Sequence, residues 1–115
     1  MPPRVPDDAV NDLRVTVDDT GGTRTVRLAL DGDLDLLVEK RLVEQVVDAL
    51  RDTRPDRAVL DLTAVPFLDS SGLRGLLRCA RAAEDHGVLL TLDVVPGPVT
   101  MLLDTAGVRN WFAYE

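Results

Sequence analysis

The residues best suited to chemistry are Asp69, Ser70 and Ser71, inside Val65-Pro66-Phe67-Leu68-Asp69-Ser70-Ser71-Gly72-Leu73. An apolar run, Ala58 to Leu62, leads into this stretch, and a strongly helical pattern leads out of it. Two hydroxyls therefore fall where a strand hands over to a helix. The first N–H groups of a helix have no intrahelical partner, and the helix dipole favours an anion at that end. A serine there can carry a phosphate. The same residues can also simply cap the helix, because Ser and Asp accept a hydrogen bond from a free N–H. The reciprocal capping box is not completed, since Leu73 follows Ser70 by three residues and Arg74 follows Ser71 by three.

Other chemistries find less support. A nucleophilic hydrolase needs a base, and His86 is the only histidine. About sixteen helical residues at 1.5 Å each put it roughly 24 Å from Ser70, and the Gly-x-Ser-x-Gly elbow is absent. His86 fits a helix C-terminus, where positive charge is favourable. Cys79 is the only cysteine, so no internal disulfide or thiolate cluster can form, and the residue reads as a small apolar filler at a helix flank. Arg74, Arg78 and Arg81 read as a solvated face. Asp33 and Asp35 suit a turn, with Asp35 able to cap the following helix. They show no metal-loop spacing. No catalytic residue, metal or cofactor is expected.

The 115 residues suit one domain. With 45% hydrophobic residues but one Trp, one Tyr and two Phe, the core must be aliphatic. The net charge of −7 argues against nucleic acid, whose phosphates demand a basic face, and suits a basic protein partner. No apolar run is long enough to cross a bilayer, and Met1 to Asp12, rich in Pro and Asp, lacks a signal-peptide pattern. The expected location is the cytoplasm, without membrane insertion.

The elements that must position the serines follow from periodicity. Residues 1–12 read as a flexible tail. Leu13, Val15 and Val17 alternate with polar residues, giving a strand at 13–17. Asp18 to Gly22 forms a hairpin turn, and a second strand comes next at 24–30. Residues 36–52 form an amphipathic helix with Leu42, Val43, Val46, Val47 and Leu50 on one stripe. Ala58 to Leu62 is apolar enough for a central parallel strand. The helix at 70–86 should bury Leu73, Leu76, Leu77, Ala80 and Ala83, with Gly87 after its end. Val88 to Val94 is another core strand, Pro98 opens a short helix that Gly107 closes, and Trp111 to Tyr114 is a last strand. The predicted fold is α/β: a mostly parallel sheet with an opening hairpin and strand–helix units, the helices packed on the sheet. Its carboxyl edge should gather Asp31, Asp33 and Asp35, then Asp69, Ser70 and Ser71, then Pro96-Gly97-Pro98. Ser70 should lie near an acidic group from distant sequence.

Four segments together resemble the STAS domain, the fold shared by sulfate transporter tails and bacterial anti-sigma factor antagonists. They are Leu30-Asp31-Gly32-Asp33-Leu34-Asp35, Val59-Leu60-Asp61-Leu62, Phe67-Leu68-Asp69-Ser70-Ser71-Gly72-Leu73 and Leu103-Asp104-Thr105-Ala106-Gly107-Val108. The resemblance covers about 13 to 115. It implies that Ser70, directly after the Asp, is phosphorylated by an anti-sigma factor that is itself a serine kinase. Unphosphorylated antagonist captures that kinase and frees a sigma factor, and a phosphatase acting on Ser70 resets the cycle. Asp33 and Asp35, in a turn at the same sheet edge as Ser70, are expected to bind the partner together with Asp69, Ser71, Gly72 and Arg74. Alternatives within the family are a stressosome-type scaffold or an accessory module of a transport system; a distant one is a small-molecule binder using the carboxyl-edge cleft. Two features depart from the family pattern. Arg74 stands where many members have Gly, and the sequence stops at Glu115 where a further helix usually follows. An exposed last strand edge would favour weak self-association as a homodimer.

Overall fold

A computed structural model describes residues 12–32 and 39–115. Two strands open it, β1 (Asp12–Thr20) and β2 (Thr23–Asp31). The hairpin between them is tighter than the sequence suggested. Gly21 and Gly22 alone make the turn, at φ 62° and 82°, the conformation a two-residue hairpin loop needs. Asp18, Asp19 and Thr20 therefore belong to β1. Asp19 lies directly across from Arg24, and the guanidinium Nε donates to its carboxylate at 2.7 Å. The segment expected as a tail over 1–12 lies outside the described residues except for Asp12, which already begins β1.

Helix α1 (Glu39–Thr53) leads to β3 (Arg57–Ala64), α2 (Ser70–Asp85), β4 (Leu89–Asp93), α3 (Pro98–Thr105) and β5 (Ala113–Tyr114). The strands lie in the order β1-β2-β3-β4-β5, with β1 antiparallel to β2 and every later pair parallel. This is the predicted α/β class, with β3 central. A sheet whose strands keep chain order, joined by right-handed crossovers, carries its helices on one face. The burial agrees. Val26, Leu28 and Leu30 of β2, Leu60 and Leu62 of β3, and Leu92 of β4 share one core with Leu42 and Val46 of α1, Leu76 and Ala83 of α2, and Leu103 of α3.

The other face is polar. There Arg27 of β2 reaches Asp61 of β3 at 3.0 Å and also pairs with Asp93 of β4. Parallel sheets usually have both faces covered; here an ion-pair ladder across three strands takes the place of a second helical layer.

Two expectations need correction. Helix α2 buries Gly72, Gly75, Leu76, Cys79 and Ala83, whereas Leu73, Leu77 and Ala80 are only half-buried. The buried stripe is made largely of small residues, so a reading that gives weight to leucine rotates the helix. Cys79 accordingly sits in the core, fully buried, rather than at a flank, and burial pushes its thiol up to about 12. The last strand is also shorter than Trp111–Tyr114: Arg109–Trp111 forms a 3-10 turn, and only Ala113 and Tyr114 pair with β4.

Candidate functional site

Ser70 stands at the carboxyl edge of the sheet, where β3 hands over to α2. The local fold is set by Asp69. Its backbone is extended, at φ −101° and ψ −173°, and its carboxylate Oδ1 accepts a hydrogen bond from the Gly72 N–H at 2.8 Å. Its carbonyl accepts the first regular helical bond, from the Leu73 N–H at 2.9 Å. Asp69 is therefore the N-cap, and Ser70 is the first residue inside the helix. The capping role that could have fallen to Ser70 falls to its neighbour. The physical reason is that two cap-competent residues stand side by side, and the carboxylate reaches the third helical N–H.

This division leaves Ser70 exposed, Ser71 half-buried and Gly72 buried. Among the described residues the Ser70 hydroxyl caps nothing, and the N–H groups of Ser70 and Ser71 have no backbone acceptor. Those two donors and the positive end of α2 would favour a charged group on the Ser70 oxygen. Arg74 is exposed one turn further on. Residues four apart are neighbours on a helix surface, so Arg74 and Ser70 stand on the same side of α2.

The carboxyl-edge turns meet as the strand order predicts. Val65 and Pro66, after β3, share a cavity of about 120 Å³ with Pro96, Gly97 and Pro98, after β4. At the end of β2, the Gly32 N–H donates to the Ala64 carbonyl at 3.3 Å. This places Gly32 beside the end of β3. Asp33 and Asp35 lie outside the described residues.

The sequence reading missed an apolar groove at this edge. Phe67, Leu68, Pro98, Met101, Leu102 and Thr105 line a cleft of about 280 Å³ between the β3–α2 turn and α3. Phe67 is 51% exposed and Met101 67% exposed. Met101 lies off the Val99–Leu103 stripe that α3 buries, which is the signal that could have marked it. Phe67 carried no such signal, because its exposure depends on what fails to cover it. No cluster of metal-ligating side chains occurs among the described residues, and none of their helices is long and apolar enough to cross a membrane.

A five-stranded sheet with one helical face, and a Ser at the start of the helix after its central strand, define a recognisable class. The model for the MlaB-type STAS domain matches residues 17–112, and the chain belongs to the STAS domain family. It is 36% identical over 93 residues to the anti-sigma-F factor antagonist RsfB of Mycobacterium tuberculosis, a match covering 80% of this chain and 71% of that protein. The crystal structure of an anti-sigma factor antagonist from Mycobacterium paratuberculosis superposes with a TM-score of 0.66 at 22% identity, over 90% of this chain and 85% of the other. The anti-sigma factor antagonist SpoIIAA in its unphosphorylated form gives a TM-score of 0.64 at 19% identity, over 89% and 88%. At these identities the two structures speak for the fold.

Proposed function

We propose that this chain is an anti-sigma factor antagonist whose binding is switched by phosphorylation of Ser70. It acts as a binding module and not as an enzyme. In its unmodified form it captures an anti-sigma factor that is also an ATP-using serine kinase, and so releases a sigma factor. Phosphate on Ser70 ends the capture, and a phosphatase restores it. The observation that carries this reading is the division of labour at the start of α2. Asp69 caps the helix, so the Ser70 hydroxyl remains exposed at a site that tolerates an anion. The identity to a curated anti-sigma-F factor antagonist supports it.

The switch works through local electrostatics. A phosphate adds about −1.5 to −2 charges at neutral pH, beside Asp69 on a chain of net charge −7. Within this domain the free N–H groups and the helix dipole offset the added charge. Against a partner surface shaped for a neutral hydroxyl they do not, and desolvation of the phosphate favours separation. The Phe67–Met101 groove lies on the same edge, where it offers apolar contact that phosphorylation leaves intact.

The test is incubation with the cognate anti-sigma factor and ATP, followed by peptide mapping. Phosphate is expected on Ser70, and none should appear on the Ser70→Ala variant. Full modification of that variant, with the phosphate on Ser71, would contradict the assignment.

A further inference from the structure

The strand that leads to Ser70 changes phase just before it ends. Leu60 and Leu62 of β3 are buried in the core, and strict alternation would send Ala64 there next. Instead Ala64 is exposed and Val65 is buried. The register records the same step. Ala29 of β2 faces Asp61, but Asp31 faces Ala64, so β3 advances three residues while β2 advances two. This is a β-bulge, which bends a strand and re-aims the residues beyond it. Past the bulge the Val65 N–H turns back to the Leu62 carbonyl at 3.0 Å. Val65 and Leu68 then both anchor in the core before Asp69 caps α2.

One side chain ties down the extra residue. Asp61 Oδ1 accepts from the Thr63 N–H at 2.9 Å and from the Thr63 hydroxyl at 2.6 Å. An Asp bonded to the backbone two residues on closes a local turn in place of a ladder bond. The other oxygen, Oδ2, accepts from Arg27 Nε at 3.1 Å. The two oxygens therefore act on different things: Oδ1 on the bulge itself, Oδ2 on the neighbouring strand. The Arg27 side chain is 42% exposed and has a second carboxylate in Asp93, so its pair with Asp61 contributes little.

We infer that Asp61 is a positioning residue: through Oδ1 and Thr63 it holds the bulge of β3, and the bulge sets where the Asp69 cap and the Ser70 hydroxyl stand. A slip of one residue sends every following side chain to the opposite face of a strand. Without the bulge, Ala64 would take the core position of Val65, and the chain from Val65 to Asp69 would have to enter α2 from a different place. What position 61 needs is an acceptor oxygen, not a charge. The effect on Ser70 as a phosphate acceptor rests on the function proposed above; the geometry of the turn does not.

Two readouts test this separately. Amide NMR shifts and hydrogen exchange over 64–72 report the turn, and phosphorylation by the cognate anti-sigma factor with ATP reports Ser70. Asp61→Ala should shift those resonances. It should speed exchange of the Gly72 N–H, which Asp69 holds, and lower kcat/KM for phosphorylation, each by about tenfold. Asp61→Asn keeps an oxygen for Thr63 but no charge for Arg27, and should restore all three. Thr63→Val removes one of the two bonds and should fall between Asp61→Ala and the parent. Arg24→Ala breaks a polar network at the other end of β2, with Asp19 and the Thr53 carbonyl. It should leave all three readouts unmoved, which separates lost position from lost stability. A parent-like turn in Asp61→Ala overturns the inference, and Thr63→Val decides in the same way if the alanine variant does not fold. Asp61→Asn behaving like Asp61→Ala also overturns it, since the Arg27 pair would then set the turn. If the kinase leaves Ser70 of the parent chain unmodified, the proposed function fails while the NMR comparison still decides the role of Asp61.

Discussion

At the scale of single residues, the proposed switch turns on Asp69 and Ser70 having separate tasks. Removing an N-cap acceptor costs about 0.5–2 kcal/mol, so Asp69→Ala should lower the thermal midpoint by several degrees. Ser70→Ala should leave it nearly unchanged, because that hydroxyl caps nothing. Melts followed by circular dichroism check both; equal losses would mean that the two side chains share the cap. The place of this pair was legible in the sequence, since an apolar run followed by a helical pattern locates the handover. Which of the two caps was not legible. Both are good caps, and the choice depends on where the extended backbone of Asp69 turns into the helix. The buried position of Cys79 was hidden for a related reason: Gly72 and Gly75 join the buried stripe, and glycine carries no hydrophobic signal.

At the scale of elements, the helix ends differ in a way that can be measured. Gly87 follows α2 at φ 70° and Gly107 follows α3 at φ 72°, but Arg54 follows α1 at φ 48°. The left-handed region costs an L-residue about 1–2 kcal/mol, and glycine gives back about 0.5–1 kcal/mol through its looser unfolded chain. Arg54→Gly should therefore raise the thermal midpoint slightly, by up to about 1 kcal/mol in stability, while Gly87→Ala should lower it by about 1 kcal/mol. A drop on Arg54→Gly would show that the arginine side chain stabilises the end of α1 by more than its backbone costs. The glycines were legible as stops because few other residues suit that conformation. Arg54 was not, because nothing in its side chain announces a positive φ. The start of the last strand was misplaced for another reason. Trp111 and Phe112 have high strand propensity, yet the Trp111 N–H bonds back to the Val108 carbonyl at 2.9 Å and closes a 3-10 turn.

At the scale of the whole molecule, strand order places both the core and the site. Chain-order pairing puts every helix on one face and the handover turns on one edge. This much was legible in the alternation of strand and helix patterns. The polar opposite face was not, because Arg27, Asp61 and Asp93 are far apart in sequence and meet only through register. That face makes the fold sensitive to acid. Burial alone would raise the Asp61 carboxyl, but hydrogen bonds from the Thr63 hydroxyl and N–H, together with the Arg27 guanidinium, hold it below the usual carboxylate value. A depressed carboxylate contributes stability that is fully present above its unfolded value, near about 3.9, and lost as pH falls through the folded value. Thermal midpoints taken below about pH 4 should thus fall less steeply in Asp61→Asn than in the parent chain; identical slopes would remove Asp61 from the acid response. The same global charge bears on the proposed switch. Phosphate on Ser70 would move the chain from −7 to about −9, with the new charge placed on the carboxyl edge of the sheet and away from the core. The central claim is that this charge changes affinity for the partner while the fold stays as it is. Calorimetric titration of the anti-sigma factor kinase with unmodified and Ser70-phosphorylated chain tests it most directly. Binding of the phosphorylated form weaker by about tenfold or more, equivalent to at least about 1.4 kcal/mol, is the predicted result, and equal affinity of the two forms would contradict it.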